Sequence, residues 1–110
     1  MIQVTVYRNS KQKCEGFVAR GHAGYSEEGQ DIVCAAASVL IMNTVNAVEK
    51  YTDDRFSVVS DDEEGLIDFK LKDRPSAEAA LLLDAMILGL RDMADDENYA
   101  KYIQLTFEEV

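Results

Sequence analysis

The most constraining feature of the chain is the stretch from Ile32 to about Lys50. Its apolar residues recur at 32, 33, 36, 37, 40, 41, 45 and 48, and alanine and cysteine fill much of the other face. Spacing of three and four residues is the period of a helix, so the stretch predicts a helix that is nearly all buried. Such a helix needs other elements to cover it. Asp31 stands where an N-cap belongs, able to accept a hydrogen bond from the backbone NH of Val33 or Cys34.

The flanking segments have the period of strands. Ile2, Val4 and Val6 alternate with Gln3, Thr5 and Tyr7, which predicts a strand with one buried face. After the polar stretch from Asn9 to Lys13, Cys14 to His22 alternates less cleanly and predicts a hairpin partner. Gly21 to Asp31, with Gly21, Gly24 and Gly29, is expected to be a loop. Phe56 to Ser60 and Leu66 to Lys72 form a second hairpin across the acidic turn Asp61–Gly65. Pro75 and Ser76 open an amphipathic helix that carries Leu81, Leu82, Ala85, Met86, Leu88 and Met93. Tyr102 to Glu108 is a terminal strand. The order ββαββαβ predicts an α+β fold, a mostly antiparallel five-stranded sheet covered by two helices, as one domain over residues 1–110.

Composition narrows the partners. Lys and Arg number 11 against 21 Asp and Glu, a formal net charge of -10, which repels phosphate backbones and anionic lipid headgroups. Direct nucleic-acid binding is not expected, and a basic protein or peptide is the favoured partner. The amino terminus lacks the pattern of a secretory signal, and the apolar run Ile32 to Met42, broken by Ser38, is too short to cross a bilayer. No membrane association is expected. With only Cys14 and Cys34 and no export signal, the cysteines are expected to be free thiols in the cytoplasm.

One histidine and two cysteines twenty residues apart make a metal site hard to build, and no metal or cofactor is predicted. The acidic run Asp61 to Glu64 lacks the alternating oxygen donors of a calcium loop, and the glycines at 21–29 lack the Lys and the Ser or Thr of a P-loop. What remains is His22, twelve residues before Cys34, with the glycine-containing loop between them. A thiol becomes a nucleophile as its thiolate, and a base beside a first-turn helix position favours that form. The bland alternatives are a packing cysteine in an alanine-rich helix and a solvated loop histidine. Asp31 could hold the cap or orient His22, while its charge opposes a neighbouring thiolate. Ser38, one turn beyond Cys34, could donate a hydrogen bond into the site, though bonding back to the Cys34 carbonyl is the default. Cys14, on a strand with only Lys13 as a basic neighbour, is read as structural.

The segments GHA at 21–23 and DIVCAAAS at 31–38, together with the length and the ββαββαβ order, resemble the ribosomal-processing cysteine proteases called Prp. Ala37 departs from the family pattern, which often has a larger β-branched residue there. The resemblance implies a cytoplasmic, homodimeric endopeptidase that removes the N-terminal extension of large-subunit ribosomal protein twenty-seven, with Cys34 as nucleophile and His22 as general base. A basic ribosomal protein agrees with the acidic balance. Two other readings of the same residues stay open. One is a non-catalytic acidic module that binds a basic ribosomal protein; the other is a thiol enzyme of a different class, such as an acyltransferase or redox sensor.

Overall fold

The computed structural model describes residues 1–21, 28–63 and 65–110, apart from the side chains of residues 28–31. The elements are β1 (Ile2–Arg8), β2 (Cys14–Arg20), α1 (Glu28–Tyr51), β3 (Phe56–Asp61), β4 (Leu66–Leu71), α2 (Ala77–Asp95) and β5 (Ile103–Glu109). The strands form one sheet in the order β3-β4-β2-β1-β5, antiparallel except for the β1–β5 pair. The expected α+β architecture is therefore present.

Period-two alternation places Ile2, Val4, Val6, Phe17, Ala19, Ile67, Phe69 and Ile103 on one face, where they pack against Val33, Ala37, Ile41, Val45 and Val48 of α1 and Leu83, Met86, Ile87 and Leu90 of α2. Phe69 is the hub of this layer, stacked on Phe17 with ring centroids 5.2 Å apart and meeting Phe56 at the same distance. The opposite face carries Gln3, Thr5, Val18, Lys70 and Thr106, and neither α1 nor α2 lies on it. Ala37, the departure from the family pattern, is fully packed into the core.

The uneven alternation in β2 has a local cause. Tyr7 pairs with Gly16 and Arg8 with Cys14, so Glu15 is an extra residue in a β-bulge. Both Cys14 and Phe17 thereby reach the core. At Gly16 a Cβ would lie 2.6 Å from the backbone oxygen of Phe69, so no side chain fits.

Chain direction determines which strands each helix covers. α1 leads from the end of β2 to the start of β3, strands that run parallel on either side of β4. It therefore lies towards the β3–β4 side, while α2 crosses from β4 to β5 and contacts β2 and β5. The helices meet where Gly89 faces Leu40; a Cβ on Gly89 would come 2.7 Å from Leu40 Cδ2. α2 starts at Ser76, whose hydroxyl accepts from Ala79 N at 3.1 Å, a standard N-cap bond. Asp54 holds that serine through its hydroxyl and its amide, at 2.5 and 2.8 Å. Burial would raise the Asp54 carboxyl, but these hydrogen bonds outweigh it and hold the group below its ordinary value.

Two expectations about α1 need correction. The helix starts at Glu28, not Ile32, so Asp31 and Gly29 lie inside it. Asp31 is not the N-cap, and Gly29 is not a loop residue. Nor is α1 buried on nearly all sides: Ile32, Val39 and Met42 are exposed, and Ala35 and Ala36 are exposed between them. The stretch Ile32–Tyr51 is long and apolar enough, by length and composition alone, to span a membrane. Here its inner face packs on the sheet as a core helix.

Gly16→Ala is expected to destabilise the fold by about 1–3 kcal/mol, because the Phe69 carbonyl must shift within a two-sided strand pairing. Urea unfolding monitored by circular dichroism reads this as a lower midpoint at unchanged slope.

Candidate active site

The end of the sheet at which β1 begins and β2 stops is also where α1 begins. Gly21, the first residue after β2, has φ +92, and a Cβ there would overlap the Met1 carbonyl oxygen. Only glycine turns the chain here. His22 and Gly24 lie outside the described residues, as do the rest of 22–27. α1 then carries Cys34, half-buried against the core.

Because α1 begins at Glu28, Cys34 sits in its second turn, six residues in and about 9 Å along the axis. That position differs from the first-turn site expected from a cap at Asp31. The open NH groups of the helix belong to residues 28–31, and the helix dipole acts mainly within that first turn. The amide of Cys34 is committed to helical hydrogen bonding, so the first free NH groups of the helix do not lie at the thiol as expected. Gly29 hid the extra turn from the sequence, since glycine within a helix costs roughly 1 kcal/mol, whereas Glu28 and Gln30 are good helix formers.

Ser38, one turn on, is also half-buried. Thr44 and Thr52 donate their hydroxyls to the carbonyls four residues back, Leu40 and Val48, at 2.7 Å each. Among the described residues no such bond joins Ser38 to the Cys34 carbonyl. Cys14 contrasts with Cys34. It is fully buried, donates to the Gly16 carbonyl at 3.4 Å, and burial pushes its thiol from 9.0 up to about 11.

Charge is unevenly spread. At the Cys34 end, Asp61, Asp62 and Glu63 occupy the β3–β4 turn, and Asp95, Asp96 and Glu97 the connection to β5, with Arg20 and Lys101 among them. At the other end, Lys11, Lys13, Lys72 and Arg74, in the β1–β2 turn and after β4, offset Asp53, Asp54, Asp73 and Glu78. The negative field is therefore concentrated where the half-buried thiol is. Among the described residues no group of three or more His, Cys, Asp or Glu side chains is placed to hold a metal ion.

A partly accessible cysteine on a helix of a two-layer α+β domain is compatible with thiol chemistry, and comparison with known proteins defines the class. The model of the cysteine protease Prp family matches residues 1–104. The ribosomal processing cysteine protease Prp of Staphylococcus aureus is 33% identical over 108 residues, covering 98% of this chain and all of the relative. Its Bacillus subtilis counterpart is 30% identical over 100 residues, 87% and 89% of the two chains. A crystal structure of the S. aureus protease with a substrate peptide superposes with a TM-score of 0.91 at 31% identity, covering 98% of this chain and 100% of the other. A Streptococcus mutans protein superposes at 0.88 and 32% identity, covering 100% and 99%. The chain belongs to the Prp family and is a cysteine protease. This removes the non-catalytic module and the other thiol-enzyme classes.

Two predictions follow from the unequal cysteines. Native protein treated with iodoacetamide at neutral pH gains one adduct by intact mass, on Cys34, and the Cys14→Ser variant reacts as fast as wild type. Above pH 9 the unfolded chain releases the Cys14 proton that the fold retains until about pH 11. Stability therefore falls with rising pH by about 1.4 kcal/mol per unit in that window. Cys14→Ala should show a shallower loss, measured as the difference between the two denaturation curves.

Proposed function

We propose that this protease removes the N-terminal extension of large-subunit ribosomal protein twenty-seven in the cytoplasm, with Cys34 as nucleophile and His22 as general base and acid. The observation that carries the nucleophile is the contrast in the thiols: Cys34 is half-exposed at the acidic end, and Cys14 is sealed in the core. The relatives named for ribosomal processing support the substrate, and so does a second crystal structure of the S. aureus protease, with a covalently linked product peptide, TM-score 0.86. Net charge of -10 suits a basic ribosomal protein and disfavours nucleic acid itself.

His22 takes the Cys34 proton and the thiolate attacks the scissile carbonyl to form a tetrahedral intermediate. His22 then returns the proton to the leaving amine, and the acyl-enzyme remains. Water, deprotonated by the same imidazole, attacks the thioester and releases the new carboxylate with the free thiol. With Cys34 one turn beyond the strongest part of the helix dipole, activation of the thiol falls mainly to His22. Ser38, which spends no hydrogen bond on the helix backbone, is free to donate into the site. Asp31, as a helix residue, supports His22 rather than a cap. Gly21 and Gly24 give the connecting segment its freedom, and Gly29 contributes from the first turn of α1. No metal or cofactor takes part. The molecule acts as a homodimer, and the exposed Ile32 and Val39 of α1 are apolar surface of the kind a second copy covers.

Extended ribosomal protein incubated with wild type is expected to lose its N-terminal segment, read by intact mass. Cys34→Ala, Cys34→Ser and His22→Ala should each lower turnover by about 10³-fold or more with unchanged circular dichroism. Normal turnover in either Cys34 variant removes that residue from the mechanism. Association should slow as salt rises from about 50 to 200 mM, because the Debye length shortens; salt-independent stopped-flow rates would assign the charge to solubility alone.

A further inference from the structure

The roll of α1 about its axis points to where the peptide lies. Leu40 faces α2 at Gly89. At 100° per residue, Cys34 is about 120° around the helix from Leu40, and Ser38 and Met42 about 160°. All three therefore lie on the flank turned away from α2, towards the β3 side of the sheet. On that side the helix layer stops short. In β3, Phe56, Val58 and Ser60 pair with Leu71, Phe69 and Ile67, so they share the helix-covered face. Phe69 is fully buried and Ile67 is 8% exposed, yet Val58 is 43% exposed and Ser60 is exposed. Cover thins between β4 and β3, so Val58 and Ser60 form an exposed ledge on the side towards which Cys34, Ser38 and Met42 are turned.

β3 is also an edge strand, and it carries none of the usual protection. Phe56–Asp61 has no proline, no lysine and no bulge, and its one charge is the terminal Asp61. An extended chain is the ligand that satisfies a row of edge amides and carbonyls while setting alternate side chains on a ledge.

We propose that the substrate peptide docks as a sixth strand on the outer edge of β3, with every second side chain, apolar, set on Val58 beside Met42, and is led by that register to Cys34. The proposal rests on the peptidase reading of Cys34. The occupant is a peptide because the ledge is on the flank that carries the thiol of a protease, one whose S. aureus relative is crystallised with a substrate peptide.

Val58 and Val59 provide the test, since they are neighbours on opposite faces of one strand and both are exposed. Wild type, Val58→Asp and Val59→Asp are assayed on a synthetic peptide spanning the extension junction of the ribosomal protein. Val58→Asp should raise KM about tenfold or more with kcat within about twofold, and Val59→Asp should leave both within about twofold. Wild type is also assayed on the same peptide N-methylated at single backbone positions, which needs no folded variant. KM should rise at every second position only. Equal effects of the two substitutions, or N-methyl effects without that alternation, overturn the docking mode. Loss of a dimer by sedimentation in Val58→Asp at unchanged KM gives the ledge to a second copy and overturns it as well. If wild type leaves the ribosomal peptide intact, the substrate assignment fails, and the same proteins are compared on a proteome-derived peptide pool. There, equal cleavage by Val58→Asp and wild type overturns the ledge, and absence of cleavage overturns the ledge and the mechanism together.

Discussion

The close approach of Gly89 to Leu40 governs the rest of the structure, because it fixes how α1 is rolled on the sheet. Without a side chain at 89, Leu40 enters α2, and the residues one-third to one-half of a turn away emerge on the far flank. Val33, Ala37, Ile41, Val45 and Val48 then meet the sheet, and Cys34 reaches the boundary between core and solvent. A reactive thiol needs that intermediate position. Full burial, as at Cys14, raises its pKa and closes access.

Much of the fold was legible because strand and helix periods are local properties. β1, the two hairpins and the paired helices follow from alternation and from three- and four-residue spacing. The bulge at Glu15 was not legible, since it depends on which residue of β1 faces which of β2, and it appeared in the sequence only as imperfect alternation. The start of α1 was misplaced for a different reason. Gly29 carries a strong loop signal, but one unfavourable residue is outweighed when Glu28 and Gln30 continue a helix already anchored by its apolar face.

The exposed side of α1 shows a further limit of pattern reading. Ile32, Val39 and Met42 count towards apolar content whether they point to a core or to a partner, so the sequence alone favours burial. Of the candidate site, the distinction between Cys14 and Cys34 was available from neighbouring residues, and the family resemblance rested on two short segments that the whole-chain match supports. The second-turn position of Cys34 was hidden, because it follows from the helix boundary.

The contact between Gly21 and the Met1 carbonyl gives the two ends of the chain different standing. Residue 1 is a wall of the turn that leaves β2, on the side of the molecule where Cys34 lies. β5 runs parallel to β1 and ends at Glu109, at the far edge from that turn. Any peptide fused ahead of Met1 emerges at the end of the sheet where α1 begins. One fused after Val110 departs about seven residues of strand, roughly 23 Å, away. Affinity handles, fluorophores and surface tethers therefore disturb the turn at Gly21 least when placed at the carboxyl end.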